Sequence, residues 1–200
     1  MNILLINLYS TKDKFNKFKQ NCDYNNAFKG KANLIVKFWK DKKGIISIIK
    51  KGNIKGIILS GSDFRIKKDN KGIVPKQVFT SNIPILGVCF GFQYLVYYFS
   101  SLENIKSFKN YKTYNKLLEI DKPFKIKKTK YLFHHNDYII KLPKNWKTSI
   151  KYKHIIYMGY NKNKKYMGVQ FHPECHKKSS NLFYLKWLKS IHRYTSSPRS

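Results

Sequence analysis

Apolar residues gather in four short runs over the first half of the chain: Ile3 to Asn7, Asn33 to Phe38, Gly56 to Ser60 and Ile83 to Val88. None alternates strictly between apolar and polar, and enough chain for a helix separates each from the next. Continuous Val/Ile/Leu runs suit strands covered on both faces, so the pattern predicts parallel strands of an α/β sheet. Behind the fourth run, Phe92, Leu95, Val96 and Phe99 recur at helical spacing and place one apolar stripe on a helix beginning near Cys89. The local expectation is strand, sharp turn, helix.

The second half reads differently. Tyr111 to Ile150 is rich in Lys and Tyr, with Pro123 and Pro143 as breakers, and predicts antiparallel strands and loops. Tyr166 to Phe171 is a further strand, and Asn181 to Arg193 a closing helix with Leu182, Leu185, Leu188 and Ile191 on one broad face. No internal repeat or Gly/Ser-rich linker marks a boundary, and 200 residues fit one domain. That domain is expected over 1–194, with 195–200 as a flexible tail.

The longest apolar runs fall well short of the roughly 18 residues of a membrane span, so no membrane association is expected. The N-terminal Met1 to Ile6 has no basic region before its apolar stretch and reads as a first strand, not a targeting peptide. The three cysteines, Cys22, Cys89 and Cys175, are an odd number at irregular spacing without a CxxC pair. They suggest neither a disulfide framework nor a zinc knuckle, and a reducing cytoplasmic compartment is expected. The net charge of +31 raises nucleic acid as a partner. The lysines, however, are scattered along the whole chain among abundant Asn, Ile, Tyr and Phe, as codon bias would scatter them. Nucleic acid is therefore not the expected partner.

Candidate chemistry lies in two segments. In Gly87-Val88-Cys89-Phe90-Gly91-Phe92-Gln93 a cysteine follows a buried strand and has a glycine two residues away on either side. This is a nucleophile elbow in cysteine form: the turn holds the nucleophile in a strained backbone, and the glycines remove side chains that would collide with strand or helix. The positive end of the helix dipole and its unpaired amides favour the thiolate there. Gln93, one helical turn on, shares a face with Cys89. The alternative, a buried structural thiol, explains neither glycine. In Val169-Gln170-Phe171-His172-Pro173-Glu174, His172 and Glu174 stand two apart after a strand-like run and, in extended chain, project to one side. A base beside a cysteine, itself oriented by a carboxylate, is the logic of a triad. His172 with Cys175 and His176 also offers a metal-ligand reading, but without a second ligand pair no metal is expected. A third segment, Ile57 to Asp63, is a strand ending in small residues whose backbone amides can face a developing oxyanion.

Together these segments resemble the class I, or triad, glutamine amidotransferases, whose patterns are a strand ending S-G-G-P, a G-x-C-x-G-x-Q elbow and a G-x-Q-F-H-P-E terminus. The elbow and Gly168 to Glu174 match in full and in order. The resemblance implies an open, mostly parallel central sheet with helices on both faces, flavodoxin-like, with a small antiparallel extension. It also implies a glutaminase without a cofactor, in which Cys89 attacks the glutamine carboxamide, His172 protonates departing ammonia and Glu174 orients His172. The oxyanion hole falls to the amides of Phe90 and Ser62, and substrate binding to Gly61 and Gln93. His134-His135-Asn136-Asp137 looks like the S-H-G-D segment of GMP synthetase-type members, which adds His135 as a candidate beside the pocket; its alternative is an exposed polar turn. Ser62-Asp63 departs from the usual Gly-Pro, and a hole that needs a glycine conformation would be biased toward a closed state, with weak basal activity.

Family members pass ammonia to a synthase, and no ATP-binding loop or acceptor domain fits in this chain, so a separate synthase subunit is the implied partner. Three rivals remain: a stand-alone γ-glutamyl peptide hydrolase, a binding module that keeps the pocket without catalysis, and a basic nucleic-acid-binding protein on the same scaffold.

Overall fold

The structure, a computed structural model, describes residues 1–161 and 165–195. Strands β1 (Asn2–Asn7), β2 (Asn33–Phe38), β3 (Ile54–Leu59) and β4 (Ile85–Val88) coincide with the four apolar runs. The later strands are β5 (Ile105–Ile120), β6 (Ile126–Ile139), β7 (Lys147–Tyr152), β8 (Ile155–Asn161) and β9 (Tyr166–Val169). All join one nine-stranded sheet in the order β2-β1-β3-β4-β9-β8-β6-β5, with β7 on β8. From β2 to β9 the pairings are parallel, and from β9 onward they are antiparallel. The expected α/β sheet with an antiparallel extension is the observed one.

Strand residues alternate between two cores, which is why the runs are apolar throughout. Ile3, Leu5, Ile58, Leu86 and Val88 face one core, where α1 (Lys12–Lys19), α2 (Tyr24–Phe28) and α6 (Lys177–Thr195) contribute Phe15, Phe28 and Trp187. Leu4, Ile6, Ile57, Leu59 and Ile85 face the other, beneath α3 (Lys42–Lys50), α4 (Lys76–Thr80) and α5 (Phe90–Phe99). A sheet covered on both faces has no solvent side and needs no polar alternation. Helices α1 and α3 begin on side-chain caps: Thr11 accepts from Lys14 N and Asp41 from Gly44 N.

Three expectations are corrected. Leu185 is 39% exposed, because the packed face of α6 carries Phe183, Tyr184, Trp187, Leu188 and Ile191 instead; the bulky aromatics, with more apolar area to bury, turn the helix. Glu174 does not continue an extended strand: His172 is extended, but Pro173–Cys175 form a 3-10 turn. Cys22 and Cys175, 153 residues apart in sequence, form a disulfide. Spacing gave no sign of it, since the turn after α1 and the 3-10 turn before α6 meet only in the folded chain. Thr195 still belongs to α6, and the expected tail beyond it lies outside the described residues.

Candidate active site

Cys89 sits at the tip of β4 with φ 52° and ψ −106°, a region L-residues rarely occupy, and α5 begins at the next residue. Its backbone is pinned by a 2.7 Å hydrogen bond from Cys89 N to the Val169 carbonyl of β9. The flanking glycines are required sterically. A Cβ on Gly87 would lie 2.5 Å from the Gly91 carbonyl oxygen, and one on Gly91 would strike the Leu59 carbonyl. The second approach lets Gly91 N reach Ser60 O at 3.1 Å, which brings the turn after β3 alongside the elbow. The thiol donates to the His134 carbonyl at 3.5 Å and accepts from Gln170 Nε2 at 3.5 Å.

His172 is carried on a short antiparallel bridge to Leu132, with His172 N donating to Leu132 O at 2.8 Å. A Cβ built on Gly61 would stand 3.0 Å from His172 Cε1 and 3.7 Å from Cys89 Cβ, so the two side chains flank the same glycine. Nδ1 of His172 lies 2.8 Å from Glu174 Oε1, and Tyr184 Oη donates to Glu174 Oε2 at 3.1 Å. All three side chains are buried. With the carboxylate accepting, Nδ1 carries the proton and Nε2 is left for the thiol. Nε2 is buried with no other partner among the described residues and faces Cys89, whose charge and hydrogen bonding both favour the protonated ring. Burial works to lower the His172 pKa, but the Glu174 carboxylate and Cys89 outweigh it and raise the pKa to about 10. Burial, then Glu174, push the Tyr184 hydroxyl well above its ordinary value and keep it a neutral donor.

A cavity of about 330 Å³ opens at Cys89, within the range of small-molecule sites. Ser62, Phe90, Gln93 and His135 all line it. Phe90 N is the first amide of α5 and lacks an acceptor within the helix. Gly61, next to Ser62 of the lining, lies between the cysteine and the histidine. Gln93 spends its amide hydrogens inside the protein, on Asp137 O at 2.7 Å and Gln170 Oε1 at 3.1 Å, tying α5 to β6 and to the chain just after β9. His135 is not on an exposed turn: it is 2% exposed on β6, with Nδ1 2.9 Å from Asp137 O. Burial pushes its pKa down to about 4, so it is neutral at physiological pH.

The Ser62-Asp63 departure has a structural rationale. Neither Gly61 nor Ser62 has positive φ, so the serine occupies its position without backbone strain. Its Oγ donates to Leu8 O at 2.7 Å and accepts from Phe64 N at 2.9 Å. Asp63 bonds Ser10 N and Oγ and pairs with Lys14 at 2.6 Å. Burial works to raise the Asp63 pKa, but the Lys14 and Ser10 contacts hold it below the ordinary carboxylate value. Side-chain contacts to α1 and the chain between β1 and α1 fix this turn.

Several site residues carried no sequence signal: Tyr184 on Glu174, Arg65 and Lys109 on the cavity wall, and Tyr111 beside them. Gln170 stood inside the histidine motif without a role of its own. Among the described residues, His172, Glu174 and Cys175 place ligand-type atoms within 4.8 Å of one another. The Cys175 sulfur is bonded to Cys22, and the imidazole and carboxylate are bonded to each other, so the donor set does not fit a metal.

The family model for "Glutamine amidotransferase class-I" matches residues 12–188. The GMP synthase [glutamine-hydrolyzing] of Wigglesworthia glossinidia brevipalpis is 32% identical over 179 residues, covering 82% of this chain and 34% of that protein. The GMP synthase of Malacoplasma penetrans is 37% identical over 134 residues, 65% of this chain and 26% of that one. The chain thus spans about a third, or less, of the length of these relatives. Among solved structures, a putative GMP synthase subunit protein of Thermoplasma acidophilum superposes with a TM-score of 0.74 at 18% identity, covering 98% of this chain and 96% of its own. The acivicin-bound glutaminase domain of Trypanosoma brucei CTPS gives 0.69 at 14% identity over 96% and 94%.

Proposed function

Because this chain belongs to the class I glutamine amidotransferase family, we propose that it hydrolyses the side-chain amide of glutamine on Cys89 and supplies the ammonia to a synthase subunit, with GMP synthesis as the pathway. The observation that carries the reading is the convergence of Cys89 and His172 on Gly61, with Glu174 and Tyr184 behind the imidazole. Similarity to GMP synthases over one stretch of their length supports a division of labour in which this chain makes ammonia and another module uses it.

The Cys89 thiolate attacks the carboxamide carbon, and the carbonyl oxygen becomes an oxyanion facing the amides of Phe90 and Ser62. The intermediate collapses as His172 Nε2–H protonates the leaving nitrogen, releasing ammonia and leaving a glutamyl thioester. Water then enters, gives a proton back to Nε2 and attacks the thioester; the second tetrahedral intermediate expels the thiolate and glutamate departs. Glu174 holds Nδ1–H throughout, so the imidazole presents Nε2 at each step. His135, neutral and buried, shapes the cavity without adding charge.

Purified protein incubated with glutamine is expected to release glutamate and ammonia slowly, faster with a GMP synthase ATP-dependent subunit present. Cys89→Ala should lower the rate by at least about a thousandfold, as loss of a covalent nucleophile does. Release undiminished in Cys89→Ala refutes the mechanism. Faster turnover of γ-glutamyl peptides than of glutamine, unaffected by a synthase, would instead favour the stand-alone hydrolase.

A further inference from the structure

Arg65 lies on the wall of the Cys89 cavity, in the segment between the turn after β3 and α4, and none of the triad steps uses it. Its guanidinium is oriented from one side. Nη2 donates to Asp137 Oδ1 at 3.3 Å, and, with the Asn136 amide turned so that its oxygen faces the arginine, Nη2, Nε and Nη1 approach that oxygen at 2.7, 3.0 and 3.2 Å. Asp137 is itself fixed by Ser107 Oγ at 2.6 Å and Ile66 N at 3.3 Å. The Asp137 side chain is 5% exposed, whereas that of Arg65 is 53% exposed. A cation is therefore clamped by two β6 residues while half of its surface stays open at the cavity.

A guanidinium has five N–H donors in a rigid fork, more than Asp137 and Asn136 consume, and the fork matches a carboxylate's two oxygens. Bound with its side-chain amide at Cys89, glutamine must place its α-carboxylate elsewhere along the same cavity. Lys109 is the other cation on the wall, but it is an exposed point charge on a flexible stem, at the irregularity of β5 between Ser107 and Lys112. Resting on the glutaminase reading above, we propose that Arg65 is the anchor for the α-carboxylate of the substrate, and that Asn136 and Asp137 position its fork.

The test compares glutamine with 4-aminobutanamide, which is glutamine without its α-carboxylate. Wild-type protein should favour glutamine in kcat/KM by about tenfold or more, the weight of a charge-assisted hydrogen-bonded pair at a partly open site. Arg65→Met should remove most of that preference by raising KM for glutamine, while kcat/KM for 4-aminobutanamide changes less than about twofold. Arg65→Lys should recover part of the preference, and Lys109→Met should leave it intact. Equal loss on both amides in Arg65→Met would mean a structural role and overturn the proposal; so would a preference that depends on Lys109, or no preference in the wild type. Calorimetric binding of both amides to Cys89→Ala, with and without Arg65→Met, keeps the two readings apart. Arg65-dependent glutamine binding to Cys89→Ala, in a protein whose wild type never hydrolyses glutamine, sinks the glutaminase reading alone. Robust hydrolysis with an Arg65-independent preference sinks this proposal alone.

Discussion

His172 and His135 are both buried histidines beside the same cavity, yet their surroundings drive them in opposite directions. His172 faces a carboxylate on Nδ1 and Cys89 on its other side, and its pKa rises to about 10; His135 hydrogen-bonds a backbone carbonyl, and desolvation, with the nearby His172 charge, takes it to about 4. In the unfolded chain both return to about 6.5. The raised pKa of His172 therefore contributes stability that is complete below pH 6.5 and is lost as pH climbs toward 10. The depressed pKa of His135 costs stability as pH falls from 6.5 toward 4, because only the unfolded state takes up that proton. Urea midpoints measured across pH 4 to 10 are expected to fall on both sides of about pH 6.5, with a shallower acid limb in His135→Gln and a shallower alkaline limb in His172→Gln. A flat profile, or limbs unchanged in the two variants, would contradict these environments. That Cys89, His172 and Glu174 would lie together was legible in the sequence, because each stands in a short motif whose spacing has a mechanical reason. Tyr184 and Arg65 were not, because one comes from a helix and the other from a loop whose local patterns report only packing or solvation.

The elbow is where an element rather than a side chain decides the geometry. Gly91 lets α5 settle against the end of β3, and an alanine there would drive its Cβ into the Leu59 carbonyl, a backbone atom with little freedom to yield. Gly91→Ala is expected to lose about 2 kcal/mol or more in urea denaturation, at the upper end of overpacking costs, together with most activity. Gly72→Ala, with nothing within 4 Å of its Cβ position, should stay within about 0.5 kcal/mol of wild type. A Gly91→Ala protein as stable as the parent would show that the strand and helix are not in this contact. The first four strands and α5 were legible because two-sided burial writes itself as unbroken apolar runs. The antiparallel half was harder. β5 and β6 run for 16 and 14 residues with much exposed surface, so lysine fills positions that packing does not constrain. The exposed Leu185 shows the converse failure: on α6 an aliphatic stripe was visible, but aromatic bulk chose the face.

At the scale of the molecule, the parallel half supplies Cys89 and the turn beside it, while the antiparallel half and α6 supply the walls. Cys89 ends β4, His172 follows β9, Glu174 precedes α6, and His135 and Asp137 come from β6. Parallel pairing of β4 with β9 sets the ends of both strands side by side, and that adjacency alone lets two motifs far apart in sequence form one site. The Cys22–Cys175 bond, next to Glu174, was invisible for the same reason: nothing local announces a contact made by the tertiary fold. The most direct test of the account is to mix protein with glutamine, quench in acid and examine the cysteine peptides by mass spectrometry. The account predicts a glutamyl adduct on the Cys89 peptide alone, and none in His172→Ala. Glutamate released without any adduct at Cys89, or His172→Ala acylated as fast as the parent, would contradict it.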